Sequence, residues 1–257
     1  MTIPLSEILA FLQPKLVFPM DASAIEQVIL RWIHFLAGTT WIGLLYFFNL
    51  VNVPFMKELD ATTKGKVIPN LMPKALWWFR WAAVVTWLAG FRYLMILMKT
   101  DALNAGEPGL FGKWMGIFFG VWIVAFVICY GLFMMAQSVL KNSGYVLGIL
   151  LTVGTLAASY TVLMLMWHPM ASSRMLSIAI GGGIGTMMFL NVWGLIWRCQ
   201  KKLIAWTKAS AEEGKPMPPE AAKLQRLVFL VSRANFYLSL PMLLLMGAAS
   251  HYAFLVP

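Results

Sequence analysis

Six long apolar runs dominate this chain, and each is long enough to cross a lipid bilayer, which takes about 20 largely apolar residues in a helix. Hydrophobic residues make up 60% of the 257 residues and charged residues only 12%, with a mean hydropathy of +0.76. A soluble domain carries about twice that share of charge, so this composition excludes one. The runs cover residues 25–54, 73–98, 111–140, 144–167, 174–198 and 227–254. The sequence therefore predicts an all-α integral membrane protein with six transmembrane helices.

The segment ahead of the first run has a pattern of its own. Leucines recur at helical spacing through residues 5–16, which predicts an amphipathic helix lying on the membrane surface within the segment 1–24. An interfacial anchor is favoured over a docking face for a partner. Residues 25–257 then form a single transmembrane domain, with a solvated loop expected at about 199–226. The start of the chain lacks the pattern of a cleaved signal peptide, and none is expected.

The basic residues predict an orientation. The net charge is +10, and most lysines and arginines follow the first, third and fifth runs. Such residues concentrate in cytoplasmic loops, so the sequence predicts that both termini lie outside, on the periplasmic side of a bacterial inner membrane. This explanation needs no nucleic-acid partner. The two cysteines form no CxxC or CxxCH motif and no disulfide framework.

Histidines give the most specific functional signal. The ten acidic residues lie between the runs or at their ends, which argues against a carboxylate proton path or metal cage. His34 lies inside the first run, whereas His168 and His251 close the fourth and sixth, so all three occupy the outer half. Ionisable groups inside a bilayer are costly and mark functional sites. We predict a haem b with His34 as an axial ligand and His168 or His251 opposite. The alternative is an imidazole hydrogen-bonded to a backbone carbonyl.

Other side chains in the outer half suit such a haem. Arg92 and Arg31 have guanidinium groups that pair with carboxylates such as haem propionates, although snorkelling to the headgroups is favoured for Arg31. Trp41 is a candidate for the wall of the porphyrin site. The 18 methionines include several around His168 that would suit Cu(I). Copper is less favoured than haem.

A second polar group lies in the inner half. It contains two arginines and several amides, and no carboxylate neutralises them. The members are Asn49, Asn52, Arg80, Asn191, Arg233 and Asn235. Such a group suits an anion or a quinone headgroup, and hydrogen bonding between helices explains it equally well. The glycines of 181–185 follow no strand and precede no Lys-Ser/Thr, so they predict close helix packing and not a phosphate loop.

Three ordered stretches carry a resemblance. They are 31–49 (RWIHFLAGTTWIGLLYFFN), 185–202 (GTMMFLNVWGLIWRCQKK) and 232–242 (SRANFYLSLPM). Together they resemble the membrane-bound urate hydroxylase family, of the urate oxidase N-terminal domain type. His34 with Trp41 and Gly43 is also similar to the first span of haem-binding membrane protoporphyrinogen oxidases and of copper-resistance membrane proteins.

The resemblance implies a membrane oxidoreductase that passes electrons to a periplasmic cytochrome c. Under it, Arg80, Asn191 and Arg233, with Asn49 nearby, would hold an anionic purine-like substrate. The chain departs from the family in having no CxxCH, and in having Ala179 and Ala234 where the family pattern has histidine. These departures favour an alternative, a non-catalytic accessory subunit of a larger respiratory, photosynthetic or oxygenase complex. A copper-handling membrane protein is a second alternative.

Overall fold

A computed structural model describes residues 21–140, 143–253 and 255 of the chain. These residues form six helices and no strand, and all six are long and apolar enough to cross a membrane. The helices are α1 Ala22–Glu58, α2 Ala61–Asn104, α3 Gly109–Met135, α4 Gly144–Met166, α5 Ser173–Glu213 and α6 Ala221–Ala248. The predicted six-helix architecture is thus confirmed. The predicted surface helix lies largely in 1–20, outside the described residues.

Short polar side chains begin several of the helices. Asp21 accepts a hydrogen bond from the Ala24 amide (2.8 Å) at the start of α1, and Asp60 accepts one from the Thr63 amide (3.0 Å) at the start of α2. These N-caps satisfy amides that have no partner within the helix. Hydrogen bonds from Thr63 lower the pKa of the exposed Asp60 carboxyl.

Two helices extend well beyond their apolar runs. α2 begins at Ala61, before the predicted start at 73, and α5 continues to Glu213 through much of the segment expected as a loop. Only 214–220 separate α5 from α6, and Gly214 ends α5 with a left-handed backbone (φ +67°). The extensions pack together, since a Cβ on Gly65 would lie 2.9 Å from the Ala211 Cβ. This packing keeps residues helical that hydropathy assigns to a loop.

The central helix of the bundle is α5, which contacts α2, α3, α4 and α6. In the most apolar stretch of α5, 78% of the residues are buried, whereas only 11% are buried in the corresponding stretch of α1. α1 packs mainly on α2 and, to a smaller extent, on α6. A Cβ on Gly183 of α5 would lie only 1.8 Å from the Trp122 ring of α3, so a glycine is needed there. Three large side chains of α3, Trp114, Phe118 and Trp122, are fully buried in this core.

The two ends of the bundle differ. We call the end where α1 begins and α6 ends the terminal side. The opposite end, where α1 ends and α2 begins, is the basic side. Both α1 and α5 contain a short π-helical segment in the half next to the basic side, at Phe47–Asn52 and Val192–Ile196. A π-helical segment changes which side chains face a neighbour and often accompanies function.

Candidate functional site

A cavity of about 490 Å³ lies in the terminal half of the bundle. Its wall comes from 30–43 of α1, 86–94 of α2, 178–186 of α5 and 242–250 of α6, with Phe118 of α3. Most of these residues are apolar, and the polar side chains among them include Arg31, His34 and Thr86. The volume lies within the range of about 300–1,000 Å³ that is typical of cofactor and small-molecule sites.

The His34 imidazole is fixed by the neighbouring helix. Its Nδ1 lies 2.8 Å from the backbone carbonyl oxygen of Thr86 in α2. Because a carbonyl oxygen only accepts, Nδ1 carries the proton and donates it, and Nε2 of the neutral ring keeps its lone pair. Among the described residues Nε2 has no hydrogen-bond partner. The two sequence-based alternatives therefore do not exclude each other, because one ring nitrogen holds the carbonyl and the other is available to a ligand.

Gly90, one helical turn after Thr86, makes room for this ring. A Cβ on Gly90 would lie 2.6 Å from Cε1 and 2.7 Å from Nδ1 of His34, but 3.7 Å from Nε2. The imidazole therefore rests on bare backbone, and Nε2 is directed away from it. Neither Thr86 nor Gly90 was found by sequence reasoning, because nothing in their own helix marks them. Only the approach of α1 gives them a role.

Aromatic rings form another part of the wall. Trp87 stacks on Phe91 (5.1 Å between centroids, 6°) and on Phe189 (5.3 Å, 14°), and its Nε1 donates to the Thr186 hydroxyl (3.0 Å). Trp41 also lines the cavity and is only 2% exposed, and its Nε1 has no partner among the described residues. The predicted pair of His34 and Trp41 is brought together here.

The glycine segment of α5 serves two purposes. Gly181 and Gly183 allow close packing against α6 and α3, as the sequence predicts. Gly182 and Gly185 line the cavity and leave part of its α5 wall without side chains, between Ile178 and Thr186. Met246 of α6 lies beside this wall, with its Cε 3.6 Å from where a Gly182 Cβ would be. Met242 and Met246 thus place thioethers on the α5–α6 wall, whereas His34 belongs to the α1–α2 wall.

Three other residues predicted for the haem site lie outside the cavity wall. His168 lies in the connection between α4 and α5, where its Nδ1 accepts from the Met170 amide (3.1 Å) and its Nε2 is 3.7 Å from Glu107. His251 is exposed in the turn after α6. Arg92 forms a two-point ion pair with Glu26, with N–O distances of 2.7 and 3.1 Å.

In the basic half, Asn49, Asn191 and Asn235 bond to other helices, whereas Asn52 Oδ1 is buried without a partner among the described residues. The Asn49 side chain donates to the Leu45 carbonyl (2.9 Å) and to the Ser232 hydroxyl of α6 (3.0 Å). Asn191 donates to the Asn235 side chain (2.8 Å), which in turn donates to the Met188 carbonyl (3.1 Å). α6 thereby joins the two helices that contain the π-helical segments.

The arginines of this group lie apart from the amides. The Arg80 guanidinium stacks on Trp197, with its carbon 3.7 Å from the ring centroid, and Arg80 Nε and Nη1 are buried without a partner among the described residues. Arg233 lies over Phe229 and Phe236, at 5.4 and 5.9 Å. The four residues predicted to hold a substrate, Arg80, Asn191, Arg233 and Asn49, thus each make a contact with a different partner. Within the described part of the chain, no three His, Cys, Asp or Glu side chains cluster to hold a metal ion.

Comparison with known proteins adds one match. The family model described as urate oxidase N-terminal matches residues 60–257, which include α2 to α6. α1, with His34, lies ahead of the matched residues. No curated protein and no solved structure matches the chain.

Proposed function

Because the chain belongs to the urate oxidase N-terminal family, we propose that it is a membrane redox protein in which His34 binds a b-type haem. The observation that carries the proposal is the His34 arrangement, with Nδ1 held by the Thr86 carbonyl and Nε2 unpartnered at an apolar cavity. Metal-binding histidines usually donate their other ring N–H to a carbonyl or carboxylate in this way, which fixes the tautomer. A bound haem would supply one-electron chemistry.

The cavity wall suits a flat, largely apolar cofactor. Gly90 accepts the histidine ring, Gly182 and Gly185 leave a smooth surface, and the Trp87 stack offers aromatic contact. The orphaned Nε1 of Trp41 is the kind of buried donor that a bound group satisfies. Met242 and Met246 also line the cavity, and their thioethers are another type of side chain that would bind haem iron.

Electron transfer to a cytochrome c outside the membrane is part of the proposal. The cavity lies in the terminal half, and the positive-inside rule assigns the basic side to the cytoplasm. A haem near His34 would then lie close to the periplasmic surface, within reach of a soluble acceptor there.

A second candidate is the accessory subunit without urate turnover. The amides predicted to hold a substrate are largely used in contacts between helices, since Asn49 bonds to Ser232 and Asn191 bonds to Asn235. Ala179 is completely buried and Ala234 is 9% exposed, in close-packed positions. The hydrogen bonds of Asn49 and Asn191 and the burial of Ala234 favour a structural use of the basic half, whereas Ala179 lies in the terminal half beside the cavity residue Ile178.

The haem assignment is tested on full-length protein purified in mild detergent. We expect a b-type Soret band and pyridine haemochrome spectrum that His34→Ala abolishes. The matched variants His168→Ala and His251→Ala are expected to keep the band, because both histidines lie outside the cavity wall. An unchanged spectrum in His34→Ala would contradict the proposal, as would metal analysis that finds copper and no haem.

Native purification separates the enzyme from the subunit. A chain that runs alone and reduces cytochrome c with urate would be a catalytic protein of the urate hydroxylase type. Stoichiometric co-purification with other membrane subunits, without urate turnover, would identify the accessory subunit. The haem spectrum of His34→Ala is measured for both outcomes, because the haem assignment is tested separately from the choice between enzyme and subunit.

A further inference from the structure

Two arginines at the terminal-side mouth of the cavity lack an acidic partner. Arg31 of α1 lines the cavity. Arg174, at the start of α5, lies close enough to Arg31 for the two positive charges to interact. Neither makes an ion pair among the described residues, and Arg174 Nε is buried there without a hydrogen-bond partner. Arg31 is exposed and Arg174 is half-buried, so solvent screens part of the repulsion between them, and an anion between the two guanidinium groups would remove the rest.

Tyr93 connects this pair to the cavity. The Arg174 guanidinium carbon lies 5.3 Å from the centroid of the Tyr93 ring, and Tyr93 is itself part of the cavity wall. The Tyr93 hydroxyl is buried and has no partner among the described residues. A buried donor of this kind is costly to the fold when nothing satisfies it. The mouth therefore presents two guanidinium groups without an acidic partner among the described residues, and two buried donors without an acceptor there, Arg174 Nε and the Tyr93 hydroxyl.

Arg92 provides the contrast. It lies on the same helix as Tyr93, but its Nε and Nη2 bind both carboxylate oxygens of Glu26. An arginine with a bidentate carboxylate partner has little left to offer a ligand. The anion-binding role expected for Arg92 from the sequence therefore suits Arg31 and Arg174 better.

We propose that Arg31, Arg174 and the Tyr93 hydroxyl bind the propionate carboxylates of the haem whose iron His34 binds. The proposal rests on the proposed haem function and adds the orientation of the haem in the cavity. The macrocycle lies in the apolar cavity with its carboxylate edge toward the terminal side. Guanidinium groups suit this task because they remain charged and pair with carboxylates in two-point geometry.

The test compares two probes that differ only in the carboxylates. Full-length protein produced under haem limitation is titrated in detergent with ferric haem b and with its dimethyl ester, and the Soret band reports binding. We expect wild type to bind haem b at least about tenfold more tightly than the ester, as charge-assisted hydrogen bonds predict. The double variant Arg31→Gln/Arg174→Gln is expected to bind both probes about equally, and Tyr93→Phe to lose part of the preference.

Matched controls make the outcome decisive. Arg92→Gln is expected to retain the wild-type preference, because its partner is Glu26. Wild-type affinity of the double variant for the ester shows that the cavity is folded and that only the carboxylate contacts are gone. Equal binding of both probes by wild type, or loss of the preference in Arg92→Gln alone, would overturn the proposal while the haem site stands. No Soret band with either probe in wild type would overturn the haem site itself.

Discussion

The two halves of the bundle treat buried polar groups in opposite ways. In the basic half Asn191 and Asn235 bond directly to each other, and Asn49 bonds to a serine on α6. In the terminal half, donors and acceptors around the His34 cavity, including Arg174 Nε, have no partner among the described residues. Paired groups in a membrane bundle hold helices together, whereas unpaired groups beside a cavity are available to a ligand.

Some residues of the basic half depart from this division, among them Arg80 and also Asn52 and Asn191, whose Oδ1 atoms are buried without a partner among the described residues. Arg80 lies in the basic half and has two buried nitrogens without a partner among the described residues. It is stabilised instead by the face of Trp197, 3.7 Å from its guanidinium carbon, in a cation–π contact. Arg80 is not among the residues that line the His34 cavity. We therefore assign it to packing.

The largest effect on haem affinity is expected at Gly90, where an added methyl group would displace the His34 imidazole. Gly90→Ala would place its Cβ 2.6 Å from the His34 ring, so the imidazole must move off the Thr86 carbonyl. We expect haem affinity to fall by roughly 10–100-fold, the usual cost of losing the contacts that orient a ligand. Gly38→Ala is the control, because its Cβ would lie at an ordinary 3.6 Å from Thr86. Equal Soret titrations for the two variants would contradict the proposed role of Gly90.

The next effect concerns stability and not the ligand. Gly183→Ala would drive its Cβ into the Trp122 ring at 1.8 Å, in the contact between α3 and α5. Overpacking of this kind costs about 1–3 kcal/mol, which denaturant unfolding in detergent measures. Gly112→Ala on α3 meets no heavy atom within 4 Å and is expected to be neutral or stabilising. A Gly183→Ala variant as stable as Gly112→Ala would show that the two helices do not approach so closely.

A double-mutant cycle tests the pairing in the basic half. Asn191→Ala and Asn235→Ala are expected to couple by about 0.6–1.7 kcal/mol, the range that side-chain hydrogen bonds show in membrane bundles. The Soret spectrum should not change, because both residues lie away from the cavity wall. Additive effects without coupling, or a shifted spectrum, would break the contrast between the two halves.

The smallest effect is expected at the exposed ion pair. Glu26 and Arg92 are partly exposed (side-chain exposure 40% and 49%), so solvent screens their attraction. We expect Glu26→Gln to cost at most about 1 kcal/mol of unfolding free energy, with less effect at high salt. Haem affinity should stay at the wild-type value. A tenfold loss of that affinity would show that this pair supports the ligand after all.

Much of the fold could be predicted because hydropathy reports directly on membrane spans. The helix ends could not, since α2 and α5 extend through charged segments by packing on each other at Gly65 and Ala211. His34 could be found because a histidine inside an apolar run is rare. Thr86 and Gly90 could not, since a carbonyl and a missing side chain become functional only through a neighbouring helix.

The arginines give a second example of what the sequence could not predict. From the sequence alone, the position of Arg92 in the outer half of its run favours it for binding haem propionates, next to Tyr93. Arg174 counts there only toward the predicted orientation in the membrane. The structure shows that Arg92 is paired with Glu26 and that Arg174 is left unpaired among the described residues. Which cation is free depends on where the few carboxylates lie, and a linear sequence does not contain that information.

The central claim is that His34 binds haem iron in the terminal half, and chemical rescue tests it most directly. His34→Gly removes the imidazole and leaves space beside Gly90 for a free imidazole molecule. We predict that this variant lacks the Soret band of the bound haem and regains it when imidazole is added, while His168→Gly keeps the band throughout. A band in His34→Gly that persists without imidazole, at wild-type position and intensity, would contradict the claim.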